Sequence, residues 1–159
     1  FVMAHEMGHY VRGHVWIGLA AVLGTLGMAC WAGQRVVDAA TRRWGPRWGF
    51  LVPSDPAALP LLLLALGVLV FLATPALNTV SRHMEHQADT FAIELTRDGD
   101  AGARAFVKLA EGSKKLPDPH PLIRFLRYAH PTIAERIAFC RSYRPWESGQ
   151  PNRSFKPYP

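Results

Sequence analysis

The chain has 159 residues, 49% of them hydrophobic, and 18 Lys and Arg against 12 Asp and Glu give a net charge of +6. That length suits one ordinary domain, and a mean hydropathy of +0.03 taken alone describes a soluble one. The basic residues, mostly Arg, form no stripe interleaved with aromatics, which argues against nucleic acid as a partner, and Cys30 and Cys140 make no CxxC spacing or disulfide framework.

The average hides two blocks without a Lys, Arg, Asp or Glu, Val15 to Gly33 and Ala57 to Thr79. The remainder is polar and Arg-rich, the pattern of a membrane protein with an extramembrane part. Phe1 is not an initiator Met and a conspicuous motif begins at His5, so the chain reads as the C-terminal fragment of a longer protein. Val2 to Gly33 contains no Pro and predicts one long helix that enters the bilayer near His14 or Val15. At 1.5 Å rise per residue its charge-free part reaches about 28 Å, close to the hydrocarbon thickness.

Gln34 to Pro56 reads as a connector on the bilayer surface, with Arg35, Arg42, Arg43 and Arg47 among Trp44, Trp48 and Phe50, as headgroups favour. Asp55 and Pro56 supply an N-cap and first helical position for the second span, in which Pro75 predicts a kink. The polar stretch Ser81 to Thr96 continues that helix out of the membrane. After the punctuation of Asp98 to Asp100, Ala101 to Lys115 predicts a helix, ended by Pro117, Pro119 and Pro121. Leu122 to Tyr128 and Thr132 to Tyr143 read as short amphipathic helices around His130 and Pro131. Prolines 145, 151, 157 and 159 mark 144–159 as a disordered tail. The expected organisation is all-α: a membrane-embedded region over 1–143, with spans at about 15–33 and 57–79 and extramembrane helices over 81–143, then the tail.

His5-Glu6-Met7-Gly8-His9 matches HExxH in a helical segment. Residues four apart share a helix face, so both imidazoles can reach one ion, while Glu6 stands beside it as the base that takes a proton from an attacking water. A zinc hydrolase needs a third ligand and an open position. The polar helix after the second block offers His83, Glu85, His86, Asp89 and Glu94. Glu85 is the preferred ligand. Asp89, one turn further on the same face, can then accept the free ring N–H of a ligating histidine and fix its tautomer, while His83 and His86 rotate off that face.

With these residues in view, the chain resembles the integral-membrane zinc metallopeptidases of the CAAX prenyl protease type 1 family, whose pattern is HExGH followed by SRxxExQADxFA. The match runs through Ser81 to Ala92, and Tyr128-Ala129-His130-Pro131 with Glu135-Arg136 resembles the family's C-terminal elements. The order agrees over most of residues 1 to about 140. The related bacterial heat-shock membrane proteases read differently after the carboxylate, where this chain has Ala-Asp-Thr-Phe-Ala.

The resemblance implies a zincin-type (gluzincin) site on multi-pass membrane helices, with one Zn2+ per chain held by His5, His9 and Glu85. It also implies Glu6 as general base, Asp89 behind the ligands, and a substrate or transition-state contact from His130 helped by Arg136. Thr132 stands where the family often has a second Pro. The implied protein is an integral membrane endopeptidase of the bacterial inner membrane or endoplasmic reticulum type, its catalytic side facing the cytoplasm. Its partners are peptide or protein substrates, membrane-associated ones included, and the lipid bilayer.

Hydropathy supports this independently, since two crossings after His9 return the chain to the side from which it started, bringing Glu85 back to the histidines. The alternative is a non-enzymatic membrane scaffold or subunit with a structural metal or none. A soluble metalloprotease with two buried core helices is disfavoured by the length of the charge-free runs.

Overall fold

The computed structural model describes residues 1–113, 116 and 119–155, and among these the secondary structure is helical, with no strand. The expected ends at Lys115 and Pro117, and Pro157 and Pro159 of the expected tail, lie outside the described residues. The helices are α1 (Val2–Val11), α2 (His14–Trp48), α3 (Leu59–Thr96), α4 (Gly99–Glu111), α5 (Pro121–Arg127) and α6 (Ile133–Ser142), with 3-10 turns at Pro56–Ala58 and Pro145–Ser148.

Two expectations about helix ends are corrected. Val2 to Gly33 is not one helix, because Gly13 takes φ +66°, a left-handed conformation that ends the first helical run and lets α2 begin at His14. Gln34 to Pro56 is not a surface connector through most of its length. Its first part holds good helix formers and a Gln34–Asp38 side-chain bond of 2.9 Å one turn apart, so α2 continues through Pro46 to Trp48 and stops at Gly49, φ +83°. The Asp55 cap forms as expected, its side chain accepting from Ala57 N at 2.8 Å. α3 runs through Pro75 without ending. Proline offers no amide to Phe71 there, and the Thr74 hydroxyl donates to the Val70 carbonyl at 2.9 Å.

The chain divides into two compact units, Leu19–Leu77 and a second made of Phe1–Gly18 with Asn78–Pro159. The first is a helical hairpin. Small residues line its interior, with Ala29, Ala40, Ala58 and Ala65 buried and Gly33 packed beside Leu66. Both of its helices are long and apolar enough to cross a bilayer, and only 6% and 11% of their most apolar stretches is buried within the protein. A core helix of a soluble protein would be mostly covered.

The second unit holds the polar helices around a core of Ile93, Ala103, Phe106 and Cys140, against which Phe1, Ile133, Ile137, Phe139, Tyr143 and Trp146 pack. Asp98 caps α4 through Ala101 N, and Thr132 with Glu135 forms a reciprocal capping box that starts α6. The stretch expected to be a disordered tail instead contains, in its described part, the 3-10 turn at Pro145–Ser148 and a docked segment. The amides of Arg153, Ser154 and Phe155 donate to the buried Glu94 carboxylate at 2.6–2.7 Å, and the Phe155 ring meets Phe91 edge-on. A carboxylate removed from water requires such donors, and composition alone does not reveal them.

Candidate metal centre

α1 carries His5 and His9 one turn apart, and α3 carries Glu85 and Asp89 at the same spacing. Gly8 brings the two faces together. A Cβ added there would lie 3.1 Å from Ala88 Cα, so glycine lets α1 sit directly on the α3 backbone between these pairs. His5 Nε2 and His9 Nε2 are 3.1 Å apart, and each lies 3.5 Å from a Glu85 carboxylate oxygen. Ligand atoms of His5, His9 and Glu85 all fall within 4.8 Å of one another, and His5 and Glu85 are buried.

These residues fit a zinc ion. Ligands about 2.0–2.2 Å from a tetrahedral metal are about 3.3–3.6 Å from each other, and the imidazole nitrogens, 3.1 Å apart and each 3.5 Å from a different Glu85 oxygen, lie close to that spacing. The donor set, two imidazoles and one carboxylate with a cavity on the remaining side, is that of a catalytic rather than a closed structural site. Glu6 is exposed and borders this cavity of about 600 Å3, together with His130, Arg136 and apolar Phe1, Val2, Met84, Phe106 and Leu109. A second cavity of about 930 Å3, between α4 and the turn before α6, shares Phe106, Leu109, His130 and Arg136 with the first.

Behind the ligands, His5 Nδ1 lies 2.9 Å from Asp89 Oδ1, close in distance though not aligned for a linear hydrogen bond. Arg136 donates to both Asp89 oxygens, from Nε at 2.8 Å and from a terminal nitrogen at 2.6 Å, and the latter is also 3.2 Å from Glu85. Its guanidinium lies over the Phe106 ring, 4.1 Å from the centroid. Arg136 thus engages both Glu85 and Asp89 of α3.

His130 Nδ1 is 3.2 Å from Glu85 Oε1, with its side chain half exposed. The turn that presents it is held at both ends. Asn78 and Arg82 of α3 donate to the carbonyls of Leu126 and Tyr128 at the end of α5, and the Thr132 capping box fixes the start of α6. Thr132, where the resemblance leads one to expect Pro, supplies the cap oxygen. Glu135 completes the box and pairs with Arg124 of α5.

The two imidazoles between α1 and α3 shift in opposite directions. Burial works against a charged His5, but the Asp89 and Glu85 carboxylates outweigh it and push the pKa up to about 9. His9 shifts downward, through burial first and then the neighbouring His5. Burial alone would raise Glu85, yet hydrogen bonds from His130 and His5 and the charges of His130 and Arg136 hold it far below the ordinary carboxylate range.

Two further residues join the site that sequence reasoning did not single out, His14 and Gln87. His14 Nδ1 lies 3.0 Å from His9 Nδ1, and its Nε2 lies 3.0 Å from Gln87 Oε1. His83 contacts the same amide, and His86 stacks on Phe139 with ring centroids 4.4 Å apart. Glu94, the remaining acidic candidate, is nine residues beyond Glu85 and so about 180° around the helix.

The chain is similar in sequence to several known proteins. The model for peptidase family M48 matches residues 1–144. A Bacillus subtilis (strain 168) protein named uncharacterized metalloprotease YhfN is 44% identical over 141 residues, covering 86% of this chain and 32% of its own length. An Arabidopsis thaliana CAAX prenyl protease 1 homolog is 33% identical over 138 residues, covering 86% and 31%. A protease HtpX homolog of Desulfatibacillum aliphaticivorans is 27% identical over 170 residues, covering 95% and 52%. The chain therefore spans about a third to a half of the length of these relatives. No solved structure matches it.

Proposed function

This chain belongs to peptidase family M48, and we propose that it forms the metal-binding, peptide-hydrolysing part of a membrane-bound zinc endopeptidase. The observation that carries the reading is the convergence of His5, His9 and Glu85, eighty positions apart in the chain, around one ion-sized position beside a cavity. The three side chains hold one zinc, which when bound supplies Lewis acidity to water and to the scissile carbonyl.

Glu6 stands at the cavity wall, accepts the proton of the attacking water and returns it to the leaving amine. His130, half exposed at the junction of both cavities, donates a hydrogen bond to the oxyanion that develops. Asp89 fixes the His5 ring, and Arg136 fixes Asp89 and Glu85. The two cavities that meet at His130 give an extended peptide room on either side of the scissile bond, against apolar walls. The two apolar helices cross the bilayer as a hairpin, and the catalytic side faces the cytoplasm. The relationship to the CAAX prenyl protease homolog, at 33% identity, favours membrane-associated peptide substrates.

The test uses the full-length protein in detergent. It binds one zinc and cleaves peptides, and a chelator abolishes cleavage. Glu6→Gln keeps the zinc and loses about 10²–10⁴-fold in turnover, while Glu85→Ala loses zinc. Full activity in both variants rejects the assignment, and a wild-type protein with neither zinc nor hydrolysis points instead to a scaffold role.

A further inference from the structure

The two histidine ligands are anchored differently. His5 has a carboxylate, Asp89, behind its ring. His9 has none, and the atom nearest its Nδ1 in the hydrogen bonds of the site is the Nδ1 of a third histidine, His14, at 3.0 Å. His14 is only 3% exposed, and its other ring nitrogen faces Gln87 Oε1 at 3.0 Å.

We propose that His14 is a positioning residue that sets the tautomer and ring orientation of His9, and that Gln87 in turn sets the tautomer of His14. The proposal rests on the zinc reading above. The proton positions follow from one requirement. For His9 to offer its Nε2 lone pair to a metal, its proton must be on Nδ1, which then donates to His14 Nδ1. His14 therefore carries its own proton on Nε2 and donates to Gln87 Oε1.

Arg12 Nε donates to the same oxygen at 3.1 Å, which fixes the amide orientation and leaves Gln87 Nε2 to donate to His83 Nε2 at 2.8 Å. Each contact then has one donor and one acceptor. The mirror-image assignment puts the His9 proton on Nε2, and Gln87 Oε1 opposes it because that oxygen requires the His14 Nε2 proton.

The backbone supplies an independent reason. Residues five apart in one continuous helix point about 140° away from each other, so His14 would face away from His9. The break at Gly13, φ +66°, turns the chain so that the two rings meet with centroids 5.0 Å apart.

The experiment measures zinc affinity of the full-length protein by competition with a chelator, beside the proton spectrum of the cobalt(II)-loaded protein. His14→Phe keeps a ring but removes the acceptor. It should weaken zinc binding by about 10–100-fold and speed solvent exchange of the His9 ring Nδ1 proton. His14→Asn returns an acceptor near the Nδ1 position and should recover to within about 3-fold of wild type, a rescue that mere cavity filling does not give. Gln87→Leu keeps the imidazole and frees its tautomer, giving a smaller loss, and it serves as the deciding variant if His14→Phe fails to fold. Wild-type affinity in His14→Phe or Gln87→Leu, or an Asn variant no better than Phe, overturns the relay while leaving the zinc site standing. A wild-type protein that binds no zinc overturns the hydrolase reading itself and the relay with it.

Discussion

Asp89 is 1% exposed and its charge is matched by Arg136 through two hydrogen bonds. Removing one member of such a pair leaves the other buried and uncompensated, so Arg136→Met should destabilise the polar unit by about 3–5 kcal/mol in denaturant unfolding. Asp89→Asn combined with Arg136→Met removes both charges and should recover much of that stability. Zinc affinity should stay about 10–100-fold weak, because His5 has lost its carboxylate. Stability and metal binding, measured on the same variants, thereby separate a packing role from ligand orientation. At this scale the four-residue spacings of His5/His9 and Glu85/Asp89 were enough to anticipate which side chains face each other. His14 and Gln87 were not legible, because the fourteenth residue of an unbroken helix points elsewhere and nothing in the periodicity marks Gly13 as the break.

Among the elements, α1 is set by two glycines that act through different physics. Gly13 has open space where a Cβ would go, so Gly13→Ala costs only the strain of a positive φ, about 1–2 kcal/mol. Gly8 has an ordinary helical conformation but no room, with Ala88 and Phe91 at 3.1–3.3 Å from an added Cβ. Gly8→Val should push α1 off α3 and cost zinc affinity more than Gly13→Ala does, a ranking that chelator competition can check. Chain punctuation made most element starts readable, notably the Asp55 and Asp98 caps and the Thr132–Glu135 box. The extension of α2 beyond Gly33 was harder to see, since arginines and tryptophans suit a headgroup-level helix as well as a loop.

For the molecule as a whole, the hairpin Leu19–Leu77 and the polar unit are separate compact bodies. Metal binding stabilises only a structure that contains its ligands. Adding a chelator should therefore raise hydrogen exchange in peptides from 1–18 and 78–155 and leave those from 19–77 unchanged, as mass spectrometry of the detergent-solubilised protein can read. Uniform loss of protection in both bodies would contradict this division. The two charge-free blocks made the hairpin visible in the sequence from hydropathy alone. The docking of residues 153–155 was hidden, because its energy comes from backbone amides, which every residue carries except proline.

That last contact imposes an order in time. The ribosome releases Glu94 some sixty residues before the three amides that hydrogen-bond to it. Until they emerge, this carboxylate has only the Tyr143 hydroxyl in place of its hydration shell, so burying the face of α3 that carries it is costly. The unit that carries His5, His9 and Glu85 thus completes its packing only after residues 153–155 have been made.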